Sequence, residues 1–310
     1  MTDESAGYVP TSVSAQAQQW LQIPKQTPTY PPTDDTAAWL SMIEQTDKAV
    51  VQQFLSVELP VTTDDVTVDG VPVFVVRGPA VAENDRRIYL DFHGGGLITG
   101  GGQVARTMTG MAALSGGLTT WGVDYRMPPL NPYPAGLDDA MTVYRHALED
   151  HDPADVFVGG GSAGGNIAAA LMLRAHDEGL PMPAALVLNT PEIDLTESGD
   201  SFYTNAQFDN ILGSLREVNV LYAAGHALDE PYLSPLFGDV STFPPTFLKT
   251  GTRDLFLSNT VRLHRKLRNA GVEAVLHVGE AMPHGGFAGA PEDQELDAEL
   301  QLFLEQHSRR

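Results

Sequence analysis

The sequence predicts an α/β fold: a mostly parallel central sheet with helices on both faces and a helical cap. Three observations carry that expectation. From about residue 60 onward, β-branched runs alternate with runs of helical period, and strands separated by helices pair in parallel. The apolar run Val156-Phe157-Val158 passes through a cluster of glycines around Ser162 into an alanine-rich segment, which reads as strand, tight turn, helix. A second apolar run, Arg87 to Phe92, ends directly in His93-Gly94-Gly95-Gly96. The length of 310 residues suits one large α/β domain with a small cap, or two modest domains, and 42% hydrophobic residues suffice for a core.

In chain order, residues 1–55 read as a helical arm. Trp39, Leu40, Ile43, Val50, Val51 and Phe54 recur at helical spacing after a proline-rich break at Pro24, Pro28, Pro31 and Pro32. Its apolar face serves packing, or helps to roof a pocket. Val66 to Val68 and Val71 to Val76 are strands joined by the turn pair Asp69-Gly70, and Arg87 to Phe92 is the third. A helix near Val104 to Leu114 and a strand near Thr119 to Val123 come next. Asp124-Tyr125-Arg126 then opens a stretch that four prolines hold extended, before a helix from about Ala135 to Leu148. Asp124, Arg126, Asp138 and Asp139 are candidates for a buried ion network, or for surface pairs in a solvated loop.

Gly160-Gly161-Ser162-Ala163-Gly164 fits G-x-S-x-G, in which a strained turn lifts a serine hydroxyl clear of the sheet. Two other readings fit the same letters. Gly159-x-Gly161-x-x-Gly164 matches a dinucleotide fingerprint, but Leu180-Pro181-Met182-Pro183 stands where that motif needs an acid. A glycine-rich turn whose serine merely caps the helix is the other. The helix that follows the turn runs to about Glu178, and Ala184 to Leu188 forms a strand ending in Thr190-Pro191-Glu192-Ile193-Asp194-Leu195-Thr196. Residues 194–232 are aromatic and helical, which predicts a cap insertion. The catalytic domain then comprises residues 56–193 and 233–310. Thr246 to Thr250 is a strand, Leu257 to Ala270 a helix with Val261 and Leu267 inward, and Val272 to Val278 the last strand. A final helix turns Leu296, Leu300, Phe303 and Leu304 to one face.

Composition narrows the function. A formal net charge of −22 disfavours nucleic acid and anionic membrane surfaces as partners. With no cysteine, disulfides, thiolate metal sites and a cysteine nucleophile are excluded. No apolar run reaches the ~18 residues of a membrane span. The acidic start Met1-Thr2-Asp3-Glu4 has no signal-peptide pattern, so the expected compartment is the cytoplasm.

A serine nucleophile needs a general base and an acid to orient it. In the chain order Ser, acid, His, the residues Ser162, Asp254 and His284 qualify: Asp254 closely follows a strand, and His284 lies in a glycine-bearing loop after the last one. Asp194 also follows a strand and competes for the acid role, with helix capping as its alternative. His93 reads as a brace for its loop. Together His93-Gly94-Gly95-Gly96, Asp124-Tyr125-Arg126, the proline-rich run to Asp138-Asp139, Gly160-Gly161-Ser162-Ala163-Gly164-Gly165, Asp254 and His284 resemble the hormone-sensitive-lipase (GDXG) family of α/β hydrolases, in its bacterial carboxylesterase branch. The resemblance implies the α/β-hydrolase fold, an oxyanion hole from the amides of Gly95, Gly96 and Ala163, and a cap built from the N-terminal arm and the late insertion. The expected activity is a serine esterase for small, mostly apolar carboxylic esters, with no cofactor or metal. A lactone hydrolase using the same triad and a non-catalytic ligand receptor on the same scaffold are the alternatives. A homodimer is plausible from the family. The chain departs from the family pattern at Gly161 and Leu130, where acids are usual, which predicts a thinner carboxylate network behind the base.

Overall fold

The computed structural model describes residues 7–25, 28–54 and 58–308. Two helices come first, α1 (Ala15–Trp20) and α2 (Thr36–Phe54). Then follow β1 (Thr62–Val68), β2 (Val71–Arg77), β3 (Ile88–Phe92), α3 (Gln103–Gly116), β4 (Thr119–Val123), α4 (Ala135–Asp150), β5 (Val156–Gly161), α5 (Ala163–Asp177) and β6 (Ala185–Asn189). The chain ends with α6 (Ser201–Thr204), α7 (Arg216–Ala223), β7 (Thr246–Gly251), α8 (Leu257–Asn269), β8 (Ala274–Gly279) and α9 (Pro291–Gln306).

The eight strands form one sheet in the order β1-β2-β4-β3-β5-β6-β7-β8. Only the pairings β1 with β2 and β2 with β4 are antiparallel. The parallel strands β3, β5 and β6 are buried almost from end to end, as a sheet covered on both faces requires. On one face, α4 and α5 pack over Leu90, Val158, Leu186 and Leu248. On the other, Tyr89, Phe157, Val187 and Phe247 meet Leu300, Phe303 and Leu304 of α9, beside α3. The final helix therefore buries the face that its spacing predicts. In α8, Leu267 is buried as read, together with Leu263, while Val261, read as inward with it, is exposed.

The four candidates do not join in one ion network. Arg126 pairs with Asp139 at 2.7 Å, with half of its own side chain exposed; Asp138 pairs with Arg174 of α5 at 2.5 Å; and Asp124 accepts from the amide of Gly102 at 3.0 Å. Arg126 and Asp139 thus pair across the proline stretch, while Asp138 and Asp124 find partners outside the four. In the arm, Trp39 is fully buried against Ile98, Leu215, Val218 and Phe256, and its indole donates to the carbonyl of Pro32 at 3.0 Å. Leu40, read with it as part of the apolar face, is exposed. Phe54 closes α2, and its side chain lies outside the described residues. Residues 194–232 carry only two short helices, α6 and α7, joined by turns.

Candidate active site

The β5–α5 junction sets the nucleophile. Ser162 sits at φ 56° and ψ −121°, a conformation a non-glycine residue adopts only where its surroundings impose it. What imposes it is close packing beneath the turn. A Cβ on Gly164 would overlap the carbonyl oxygen of Phe92 at the end of β3, so only glycine lets the helix approach the sheet this closely. The carbonyl of Ser162 is held by the amides of Asn166 and Glu192, and its own amide donates to Asn189.

Three side chains from distant elements meet at this turn. His284 Nε2 lies 2.9 Å from Ser162 Oγ, and His284 Nδ1 lies 3.0 Å from Asp254 Oδ1. Asp254 is fully buried in the loop that leads from β7 to α8. Its Oδ1 also accepts from the amide of Phe256 at 2.9 Å, and its Oδ2 from the hydroxyl of Thr250 at 2.6 Å. Asn205 Nδ2 grips the Asp254 carbonyl at 2.9 Å. Burial alone would lower the His284 pKa; the hydrogen bond and charge of Asp254, with the charges of Asp209 and Glu192, overcome this and raise it above 6.5.

Asp194, the rival acid, lies elsewhere. It is fully buried and accepts from Thr196, Ser198 and Arg262, with the Arg262 contact at 2.6 Å. It ties the start of the 194–232 segment to α8 and has no contact with His284. His93 braces its loop: Nδ1 contacts the carbonyl of Gly94 at 2.8 Å, and the ring stacks on Tyr125 at 4.3 Å. Tyr125, in the Asp-Tyr-Arg run, donates its hydroxyl to the His93 carbonyl at 2.8 Å.

Gly95 and Gly96 take positive φ values of 128° and 60°. A Cβ on Gly95 would overlap the carbonyl of Thr99, whose amide and hydroxyl close this loop by donating to the Gly95 carbonyl at 3.0 and 2.9 Å. Among the described residues, the amides of Gly95 and Gly96 donate to no protein acceptor. Ala163 is the first residue of α5, where helical geometry leaves the amide without an intrahelical partner. Gly95 and Gly96 line one pocket with Ser162, and Ala163 follows it in the chain. A cavity of about 790 Å³ opens beside them, lined by Gly95, Gly96, Ser162 and His284, by Tyr30 and Met42 of the arm, and by Leu212, Leu215 and Val218.

Two buried acids near the histidine escaped the sequence reading. Asp209 lies within the aromatic segment 194–232 and accepts from the amides of Ile211, Leu212 and Leu255. Glu192 follows β6; it is 1% exposed, and burial pushes its carboxyl up to about 8. Its place in Thr190-Pro191-Glu192, directly after a strand, was the available signal; Asp209 offered only a turn-forming Asp-Asn pair. Leu130, where the family usually has a glutamate, is 66% exposed and does not line the cavity.

An alpha/beta hydrolase fold family model matches residues 89–288. The structure of an esterase from the bacterial hormone-sensitive lipase family superposes with a TM-score of 0.81 at 30% identity, over 95% of this chain and 98% of that one. The chain belongs to the hormone-sensitive lipase family of α/β hydrolases. The crystal structure of the esterase E25 matches at a TM-score of 0.89 and 37% identity, covering 97% of this chain and 96% of that one. Carboxylesterase NlhH of Mycobacterium tuberculosis is 31% identical over 242 residues, 74% of this chain and 76% of its own. An acetyl-hydrolase of Streptomyces hygroscopicus is 31% identical over 206 residues, 66% of this chain and 69% of its own. Among the described residues, no helix is long and apolar enough to cross a membrane, and no three His, Cys, Asp or Glu side chains gather as a metal site.

Proposed function

We propose that this family member is a serine carboxylesterase that cleaves small carboxylic esters through an acyl-enzyme, with Ser162, His284 and Asp254 as its triad. Esterases and a carboxylesterase are its relatives, and ester hydrolysis is its activity. The observation that carries the assignment of residues is the unbroken chain of contacts from Ser162 Oγ through His284 to Asp254, at 2.9 and 3.0 Å.

The geometry supports the following course. The neutral His284 imidazole takes the Ser162 proton as Oγ attacks the ester carbonyl. Asp254 keeps the proton on Nδ1 and stabilises the imidazolium that forms. The amides of Gly95, Gly96 and Ala163 receive the oxyanion, and one such donor is typically worth ~3–4 kcal/mol of barrier. His284 then returns its proton to the leaving alcohol, and water attacks the acyl-enzyme by the same route.

The arm of residues 1–55 and the insertion of residues 194–232 form the cap over residues 56–193 and 233–310. The shared lining by Tyr30, Met42, Leu212 and Leu215 supports that division. A mostly apolar roof favours uncharged esters. Ser162→Ala removes the nucleophile while sparing the packing around it. Turnover of a short-chain nitrophenyl ester should fall by about 10⁴-fold or more, with an unchanged circular dichroism spectrum; persistence of wild-type turnover would reject the triad.

A further inference from the structure

The cavity does not end at the triad. It continues below Ser162 onto the sheet face covered by α3 and α9, where Asp91 of β3 and Lys249 of β7 also line it. Of the two β5 glycines here, Gly161 lines the cavity, while the space over Gly159 is filled by Tyr89. Gly159 pairs in register with Asp91, and a Cβ there would overlap the Tyr89 hydroxyl. Gly161 lies at the passage itself. A Cβ on Gly161 would meet only ordinary contacts, Asn189 O at 3.7 Å and Asn189 Cβ at 3.9 Å, so close packing does not demand glycine. Its lack of a side chain, where the family usually has an acid, leaves the passage open.

The polar groups in this chamber are poorly matched by the protein. Asp91 is 7% exposed and, among the described residues, forms no hydrogen bond or ion pair. A buried carboxyl without a partner is costly, and burial pushes this one up to about 7. Lys249 has only a long contact to Asp293, at 3.8 Å, and that carboxylate is already occupied by the amides of Phe287, Gly289 and Ala290. Asp297 is held by the hydroxyl of Ser115 at 2.9 Å. Apolar walls from Ala112 and Leu300 complete the chamber.

We propose that this chamber is a second substrate site, which receives the far end of an acyl chain carrying a terminal hydroxyl group. The inference rests on the ester hydrolysis set out above and names its substrate class. A hydroxyl both donates and accepts, so it pairs with Asp91 whether the carboxyl is ionised or protonated. A carboxylate end would face Asp91 and Asp297 against one lysine. A plain alkyl end would leave Asp91 unpaired. Three residues of strand separate the level of Gly159 from Ser162, roughly 10 Å, so an acyl chain of about six to eight carbons has the reach.

The test compares kcat/KM for nitrophenyl acetate, hexanoate and 6-hydroxyhexanoate. The unsubstituted protein should prefer the hydroxylated six-carbon ester over hexanoate by about tenfold. Asp91→Leu, which removes a buried polar group and so should fold, should bring that ratio to one or below, whereas Asp91→Asn should keep it above one. Ala112→Phe should lower both six-carbon esters relative to acetate by about tenfold. A ratio at or below one in the unsubstituted protein, or a ratio indifferent to Asp91→Leu, would mean a chamber for solvent only and overturn the proposal. Absence of acetate turnover in the unsubstituted protein would instead overturn ester hydrolysis itself, and this inference with it.

Discussion

At the scale of single residues, proton affinity decides what the site can do. His284 must be neutral to act as base, and its pKa lies above 6.5 because the hydrogen bond and charge of Asp254, above all, outweigh burial. Activity should therefore rise with pH through an acid limb whose midpoint is above 6.5. Asp254→Asn removes the largest of the raising influences, so the limb should move to lower pH while kcat falls by about 10³–10⁴-fold. A kcat profile between pH 5 and 9 reads both effects, and an unmoved midpoint would remove Asp254 from the relay. Glu192 carries a different consequence. Its folded carboxyl binds a proton up to about pH 8, against an ordinary value of 4.5, so between these limits the folded chain holds more protons than the unfolded one. Stability then declines as pH rises through that window. Glu192→Gln ends this loss; its advantage over the parent should be small near pH 4.5 and reach a few kcal/mol near pH 8. Thermal melts at both pH values measure the difference. A variant less stable than its parent at pH 8 would show that the carboxylate is paired there.

Elements carry the site by where they end. β3, β5 and β7 run parallel, so the glycine loop, the nucleophile turn and the loop with Asp254 all emerge at one edge of the sheet. This much was legible in the sequence, because apolar runs ending in glycine clusters mark both the strand and its exit. The order Ser162, Asp254, His284 was legible for the same reason. Contacts set by the approach of distant segments were not. Asp194 and Asp254 both follow strands, and only packing sends one to Arg262 and the other to His284. Asp209 and Glu192 join the site through burial, which spacing does not encode. Likewise Val261 fits an apolar stripe by period yet faces solvent, since α8 is anchored by Leu263 and Leu267. The arm is the element most open to test. Trp39 of α2 is fully buried against Leu215 and Val218, which line the cavity. Trp39→Ala should cost about 3–5 kcal/mol in denaturant unfolding. It should also raise KM more than it lowers kcat, since the triad contacts are untouched. A fall in kcat at constant KM would place the arm's influence on the triad instead.

For the molecule as a whole, charge is the dominant long-range fact. Forty acidic residues face eighteen basic ones, a net of −22. Such an excess repels itself in the compact state, where the charges are closer than in the unfolded chain. Attractive surface pairs such as Arg106 with Asp65, at 2.6 Å, oppose this, but with so few cations they cannot balance it, and an exposed pair is worth little. The two contributions respond to salt with opposite sign. Screening weakens exposed pairs and so destabilises; screening of net repulsion stabilises, and beyond about 0.15 M the Debye length falls below 8 Å, shorter than most separations between like charges on the surface. Repulsion being the larger sum, the unfolding midpoint at pH 7 should climb by a few degrees between low salt and about 0.5 M sodium chloride. Potassium chloride should act equally, because screening depends on ionic strength and not on a bound ion. The buried contact between His284 and Asp254 lies out of reach of this screening, so the acid limb of the pH profile should stay in place while the midpoint of unfolding climbs. Thermal melts and kinetics on the same salt series separate the two. A midpoint that falls with salt would mean that the attractive pairs outweigh the repulsion, and that the acids are grouped around their cations more tightly than the net charge implies.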